Sequence, residues 1–321
     1  MVGRHDRLSS MDVDEGVILT QELVRQGFTS SELERMVRSG ELLRLRRGAY
    51  LRSSAQDDQV EPWDLRTPHL RLISGTVPQL HPRAALSHGS AAALHGLPLF
   101  TSMVGTVHVT RDRRGGGVCR PTLRVHGSPL RDVDRVAIGG QVVTNLARTV
   151  VDLARTQPYE QAVAIADRGL ALGADPAELA EYLDQARAWQ GAMQARRVIA
   201  FADGGSESVG ESFSRVEMVR LGLPTPRLQY EIFDADGQLI ARCDFAWPER
   251  RTVGEFDGKV KYGRLRRPGE SVEETVHREK LREDAIRDQG WQMARWIWGD
   301  LSRPRVIGDR LKRAFERGGA G

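Results

Sequence analysis

Apolar and polar positions change period several times along the chain. In "LTQELVRQG" the spacing predicts a helix from near Thr20, with Leu23 and Val24 facing inward and a stop at Gly27. The next helix opens on "TSSE", where Thr29 and Glu32 have capping-box spacing; Leu33, Met36 and Val37 then recur at i, i+3, i+4, and Gly40 suits the C′ position. In "ELLRLRRGAYL", Leu43 and Leu45 alternate with Arg44 and Arg46 as in a half-buried strand; Gly48 supplies a turn and Tyr50 opens a return strand. Helix, short turn, helix and hairpin follow in the order of a winged helix-turn-helix.

Residues 52–68 are polar and irregular and read as a linker. A middle α/β region over 69–200 holds an Ala-rich helix ("RAALSHGSAAALHGLP"), a strand ("GTVHVT"), a basic glycine loop ("RDRRGGGV"), two short strands ("TLRVHGS", "GQVVTN") and several helices from Asn145 onward. "FADGGSESVG" marks a second boundary. Residues 206–321 read helix, three strands, helix, strand, helix. The expected architecture is α+β and multidomain: a winged helix over 1–55, a mixed α/β domain over 69–200, and an α/β domain over 206–321.

The hairpin "CDFAWPERRTVGEFDGKVKY", residues 243–262, carries unusual charge for strands. Alternation puts Cys243, Phe245 and Trp247 on one face and Asp244 on the other; Glu255, Asp257 and Lys259 share a face, opposite Phe256. Asp244, Glu255, Asp257 and Lys259 would then converge on one side. Such a carboxylate cluster costs stability unless a cation neutralises it. Oxygen-only ligands suit Mg²⁺ or Mn²⁺ rather than zinc. A further acid is expected from the helix "SESVGESFSRVEMVRLGLP": Glu211 sits near its first turn, beside a buried stripe of Val209, Phe213, Val216 and Val219 or Leu221. Asp244 with Glu255 or Asp257 would hold the metal, which lowers the pKa of a bound water. Lys259 or Lys261 would orient that water or stabilise developing charge.

Charge sharpens the N-terminal reading. The net charge of +4 and pI near 9.3 permit nucleic-acid binding without showing it. Arginine outnumbers lysine 43 to 4, as codon usage in a GC-rich genome would produce. Six arginines and a single acid, Glu41, lie between Arg35 and Arg52. Ser30, Ser31, Arg35 and Arg38 fall on the outer face of the second helix, and Arg44, Arg46 and Arg47 on the hairpin, where a wing meets the DNA backbone or minor groove. His81, His88 and His95 recur at sevens, but Pro82 and Gly89 interrupt any shared helix, so they read as core or hydrogen-bonded histidines. Arg111, Arg113 and Arg114 flank glycines without the Lys-Ser/Thr of a P-loop and read as surface, with a phosphate contact as the alternative. No apolar run approaches eighteen residues and no signal-type h-region opens the chain, so a cytoplasmic protein with no membrane partner is expected. Cys119 and Cys243 have neither disulfide-framework nor zinc-site spacing.

Two resemblances follow from these residues. "LTQELVRQGFTSSELERMVRSGELLRLRRGAYL" resembles the N-terminal domain of abortive-infection antitoxins of type IV toxin–antitoxin systems, with Gly27, Leu33, Val37, Gly40, Leu43, Arg44, Arg47, Gly48 and Tyr50 on the family pattern. "LSHGSAAALHGLP" and "TNLARTVVDLA" also recur in those proteins. This implies operator binding, autorepression and a cognate toxin as partner; a homodimer fits palindromic operators. The C-terminal region resembles very-short-patch-repair-like endonucleases of the PD-(D/E)xK class. Ser208 and Glu211, Asp244 and Phe245, and Glu255, Asp257 and Gly258 match its motifs, as do Arg282, Asp284, Gly290, Trp291 and Arg295, with Glu283 inserted. Lys261 stands where that family often has His. The second motif reads either as Asp257-Gly-Lys259 or as Glu255 with a displaced lysine. The resemblance implies metal-dependent hydrolysis of DNA phosphodiester bonds; the alternative is a non-catalytic antitoxin and autorepressor with a vestigial nuclease fold.

Overall fold

The computed structural model describes residues 17–52, 64–113, 116–258 and 271–319; Arg114, Lys259 and Lys261 lie outside these ranges. The chain forms two compact units, Met1–Leu153 and Ala154–Gly321. The middle region read from the sequence is therefore divided between them, its sheet in the first and its later helices in the second.

The first unit opens with β1 (Ile18–Leu19), α1 (Thr20–Arg25), α2 (Ser30–Arg38), β2 (Leu42–Arg46) and β3 (Ala49–Arg52). The strands form an antiparallel sheet in the order β1-β3-β2. The α2 capping box forms as spaced: Thr29 Oγ1 accepts from Glu32 N at 3.3 Å, and Glu32 Oε2 accepts from Thr29 N at 2.9 Å. Leu23, Phe28, Leu33, Met36, Leu42 and Tyr50 make the core. Val24 does not join it and is 56% exposed. With only six residues α1 presents one inward position, and Gly27 (φ +87°) turns the chain so that Phe28 fills the next. The alternation in β2 is also displaced: Leu42 is buried and Leu43 exposed, and the pairing to β3 shifts register between Arg44 and Arg46.

There follow α3 (Arg66–Thr76), β4 (Ala85–Leu86), α4 (His88–His95), β5 (Val107–Arg111), β6 (Val118–Arg120), β7 (Leu123–Gly127), β8 (Arg135–Ile138) and β9 (Gln141–Thr144). The sheet order is β6-β7-β5-β4-β9-β8, with β5–β7 and β4–β9 parallel. Val107, Val109 and Val143 pack with Leu72 and Ile73 of α3 and Ala91 and Ala93 of α4. Gly89 lets α4 approach the Thr101–Met103 turn, since a Cβ there would lie 2.5 Å from the Met103 carbonyl oxygen. The unit boundary falls within α5 (Leu146–Thr156), whose first turn is fastened by Asn145 Oδ1 accepting from Arg148 N at 2.8 Å. Arg148 is 2% exposed and pairs with Asp152 at 2.8 Å, which accounts for the charged positions of "TNLARTVVDLA".

The second unit contains α6 (Tyr159–Ala171), α7 (Pro176–Gln185), α8 (Ala192–Phe201), α9 (Val209–Arg220), β10 (Arg227–Phe233), β11 (Leu239–Trp247), β12 (Thr252–Asp257), α10 (Val272–Asp288), β13 (Gln292–Ile297), α11 (Trp298–Leu301) and α12 (Pro304–Gly318). Its sheet runs β10-β11-β12-β13, antiparallel up to β12, with β13 parallel to β12. One face packs Phe245, Trp247, Phe256 and Trp296 against Met218 of α9 and Leu311 and Phe315 of α12. The other packs Cys243, Ala246 and Val253 with Ile286 of α10 and Trp291.

Simple alternation fails in β11. Cys243 belongs to one face, whereas Phe245 and Trp247 belong to the other. The switch falls at Asp244, whose register neighbour on β10 is Gln229, a non-glycine residue at φ +49°. Both strands change faces there: Leu228 lies against one cluster, Tyr230 and Ile232 against the other. Of the two expected ends of the α9 stripe, Leu221 packs against the core and Val219 does not. Val216 and Met218 are buried, but Val219 is 54% exposed.

Candidate functional site

The two candidate sites belong to different units. In the first unit, α2 places Ser30, Ser31, Glu34, Arg35 and Arg38 on its exposed side, because Leu33 and Met36 take the inner face. Arg44 and Arg47 are exposed on the hairpin. Among the described residues, the side chains of Arg35, Arg38, Arg44 and Arg47 have no ion-pair partner, so their charge is available to phosphates. Glu34 interrupts the basic surface of α2, giving that helix a mixed polar face suited to base edges rather than a uniform positive one.

Arg46 behaves differently from its neighbours. Its Nε donates to the Gly75 carbonyl at the end of α3, at 2.9 Å, and burial pulls its guanidinium below the ordinary range. The register shift at Arg44/Arg46 turns it inward. Arg46→Ala should therefore act through stability, losing about 1–3 kcal/mol for the bond to a partly buried carbonyl. Comparing its urea midpoint with its DNA salt dependence checks this: a midpoint unchanged while the salt dependence falls would return Arg46 to the basic surface.

In the second unit, Glu211 occupies the first turn of α9 and is 5% exposed. Its Oε1 accepts from Ser208 Oγ at 2.7 Å, and its Oε2 from Glu207 N at 2.9 Å and Gln229 Nε2 at 3.0 Å. Ser208 in turn caps the helix by accepting from Glu211 N at 3.2 Å. Asp244 sits where the β11–β12 ladder ends: the last pair is Phe245↔Gly254, and Asp244 Oδ2 accepts from Phe256 N at 2.8 Å. Both acids thus replace missing backbone partners at places where regular structure opens.

Glu255 is held by two arginines. Arg282 of α10 donates to both its oxygens, at 2.8 and 2.9 Å. Arg295, its register partner on β13, brings Nε within 3.1 Å of Oε2, an ion pair whose N–H is not aimed at the oxygen. The same two arginines engage Glu279, and Arg295 also lies 3.4 Å from Glu283. Burial alone would raise the Glu279 carboxyl, but hydrogen bonds and charge from Arg282 and Arg295 outweigh it and hold the group below its usual range. Beneath Glu255, burial first and then the Glu255 charge push the Cys243 thiol up to about 12.

These contacts decide how the carboxylates relate to a divalent cation. Mg²⁺ needs oxygens at about 2.0–2.1 Å in octahedral array, so its ligand atoms lie within about 4.2 Å of one another. Among the described residues the acids provide no group of three with ligand atoms within 4.8 Å of one another. Glu255 as placed is engaged by Arg282 and Arg295, so a cation ligated by Glu255 would have to displace one of these contacts. Spacing alone did not reveal the arginine clamp; the signal was the parallel register that sets Arg295 beside Glu255, which requires knowing the crossover.

Of the three evenly spaced histidines, His81 is exposed, His95 Nε2 bonds the Thr144 carbonyl at 2.8 Å, and His88 Nδ1 meets Ser87 Oγ at 3.1 Å. Arg111 lines a polar cavity of about 440 Å³ with His81, Arg83, Asp112, Asp132 and Arg135. Among the described residues, no helix is long and apolar enough to cross a membrane.

Residues 13–53 match the family described as "Transcriptional regulator, AbiEi antitoxin". Over 293 residues the chain is 30% identical to the uncharacterized proteins MT2308 and Rv2248 of two Mycobacterium tuberculosis strains, covering 90% of this chain and 98% of theirs. The crystal structure of the RV2827C protein from Mycobacterium tuberculosis is similar at 14% identity and TM-score 0.38, over 68% of this chain and 84% of that one, too distant to bear on the fold.

Proposed function

The chain belongs to the same family as the two Mycobacterium tuberculosis proteins MT2308 and Rv2248, and we propose that it is a DNA-binding transcriptional regulator of antitoxin type. The observation that carries this reading is the basic, unpaired surface of α2 and the wing, within the segment that matches the antitoxin regulators. Ser30 and Ser31 at the positive end of α2 suit phosphate oxygens; Arg35 and Arg38 reach toward base edges; Arg44 and Arg47 follow the backbone beside the groove. A cognate toxin is the protein partner this reading implies, and a homodimer the assembly for a palindromic operator.

In the second unit we favour the non-cleaving alternative. The element order and the strand opening at Asp244 support a restriction-endonuclease-like ancestry. Glu255 nevertheless serves an ion-pair network, and no step through a metal ion is assigned.

The test is fluorescence anisotropy of the full-length protein on DNA from upstream of its own gene, over about 50–200 mM salt. Arg44→Ala with Arg47→Ala should weaken binding about 10–100-fold at low salt and reduce the slope of log K against log salt by about 2. An unchanged slope would remove the wing from the interface.

A further inference from the structure

We propose that His88, His108 and His126 form a site for a divalent transition-metal ion that takes imidazole ligands, zinc foremost. The three residues come from separate elements: His88 begins α4, His108 lies in β5 and His126 in β7. Each offers a ring nitrogen, and these atoms all lie within 4.8 Å of one another, the only such group of three or more His, Cys, Asp or Glu among the described residues.

The strands explain the convergence. In the parallel β5–β7 pair, His108 lies opposite Arg124 and Thr110 opposite His126, so alternation puts His108 and His126 on the face away from Val107, Val109, Leu123 and Val125. Directly after β4, His88 adopts φ +48°, uncommon for a residue with a side chain, and its ring stacks on His126 with centroids 3.8 Å apart. His126 Nε2 and His108 Nδ1 face each other at 3.1 Å. Two imidazole nitrogens so placed share a single proton, and a metal ion can replace it. Two nitrogens on tetrahedral zinc, at about 2.0 Å from the metal, are about 3.3 Å apart. Metal binding would turn the stacked rings so that both lone pairs meet the ion.

The surroundings suit a coordinated ion. Ser87 Oγ engages His88 Nδ1 at 3.1 Å, the outer contact that fixes the tautomer of a ligating imidazole. Ser90 Oγ accepts from His108 N at 2.9 Å and holds the strand against α4. Thr110, the register neighbour of His126, buries an Oγ1 that has no hydrogen-bond partner among the described residues. A water on the fourth position of the metal is the kind of partner that atom lacks. His126 also lines a surface cavity of about 320 Å³ with Cys119 and Arg124, which gives an ion a way in. With three imidazoles and no carboxylate in the group, the donor set favours zinc, copper, nickel or cobalt over magnesium or calcium.

The experiment uses tag-free full-length protein, stripped with EDTA, dialysed, and titrated with Zn²⁺ against a chromophoric chelator and with Co²⁺ by visible absorption. The expected result is one equivalent of Zn²⁺, a tetrahedral Co²⁺ spectrum, and at least about 100-fold weaker binding in His126→Ala and in His108→Gln. His81→Ala, at an exposed histidine, should leave binding unchanged. Far-UV circular dichroism establishes that the variants fold; should one fail, the other and the wild-type titration still decide. A wild-type protein that loses all Zn²⁺ to the chelator, or a folded His126→Ala that keeps one tight equivalent, would overturn the proposal.

Discussion

Replacing Arg282 with alanine should cost the second unit about 2–4 kcal/mol. The Glu255 side chain is 13% exposed, and Arg282 supplies both of its well-aligned hydrogen bonds. Without Arg282 the carboxylate keeps the misaligned contact from Arg295 and the weak hydrogen bond with the buried Cys243 thiol. Glu279 loses a partner in the same step. Five of the six tryptophans belong to this unit, so fluorescence-monitored urea unfolding reports on it directly. In a Glu255→Gln background the same replacement should cost at least about 1 kcal/mol less, because the stranded charge is gone. Equal costs in the two backgrounds would mean that Glu255 does not depend on Arg282. Its carboxylate would then be available to a cation, and the metal-dependent reading would return.

Gly210→Ala should be more severe still, at about 3 kcal/mol or more, or failure to accumulate folded protein. A Cβ at this position would lie 1.9 Å from the Phe256 ring, and Phe256 is 3% exposed within the core. The ring cannot retreat without displacing Trp296 and Phe245 beside it. Since Phe256 lies between Glu255 and Asp257, the strain would also reach the carboxylate strand. Gly222→Ala, where a Cβ would meet nothing within 4 Å but φ is +67°, serves as comparison and should cost about 1 kcal/mol. Thermal midpoints of the three proteins check the order, and a Gly210→Ala midpoint equal to wild type would show that α9 and β12 are not closely apposed.

The parts of this fold that were legible were those in which cause and consequence are neighbours in sequence. Thr29 and Glu32 cap α2 because the spacing is itself the mechanism, and Gly27, Gly40 and Gly48 all take positive φ where turns were expected. Ser208 and Glu211 were visible as a motif, though their hydrogen bonds show a helix cap as much as a candidate acid. Alternation misplaced Cys243 because a backbone event at Gln229, fifteen positions upstream of Asp244, reverses both strands. The clamp on Glu255 was hidden because Arg282 and Arg295 arrive from beyond a crossover. The histidine group shows the same limit. Spacing by sevens drew attention to His81 and His95, whereas the partners of His88 stand on two strands that only the sheet register brings together.

The parallel pairing of β12 with β13 also has a consequence in time. Until β13 has been synthesised, one edge of the largely buried strand "TVGEFD" has no neighbour. Asp257 and its register partner Ile297 are separated by 40 positions. At about 5–20 residues per second, a ribosome takes about 2–8 s to cross that interval, during which the open strand edge can recruit another nascent chain. Slow translation between these strands would therefore lower the yield of soluble protein without altering a single residue of it.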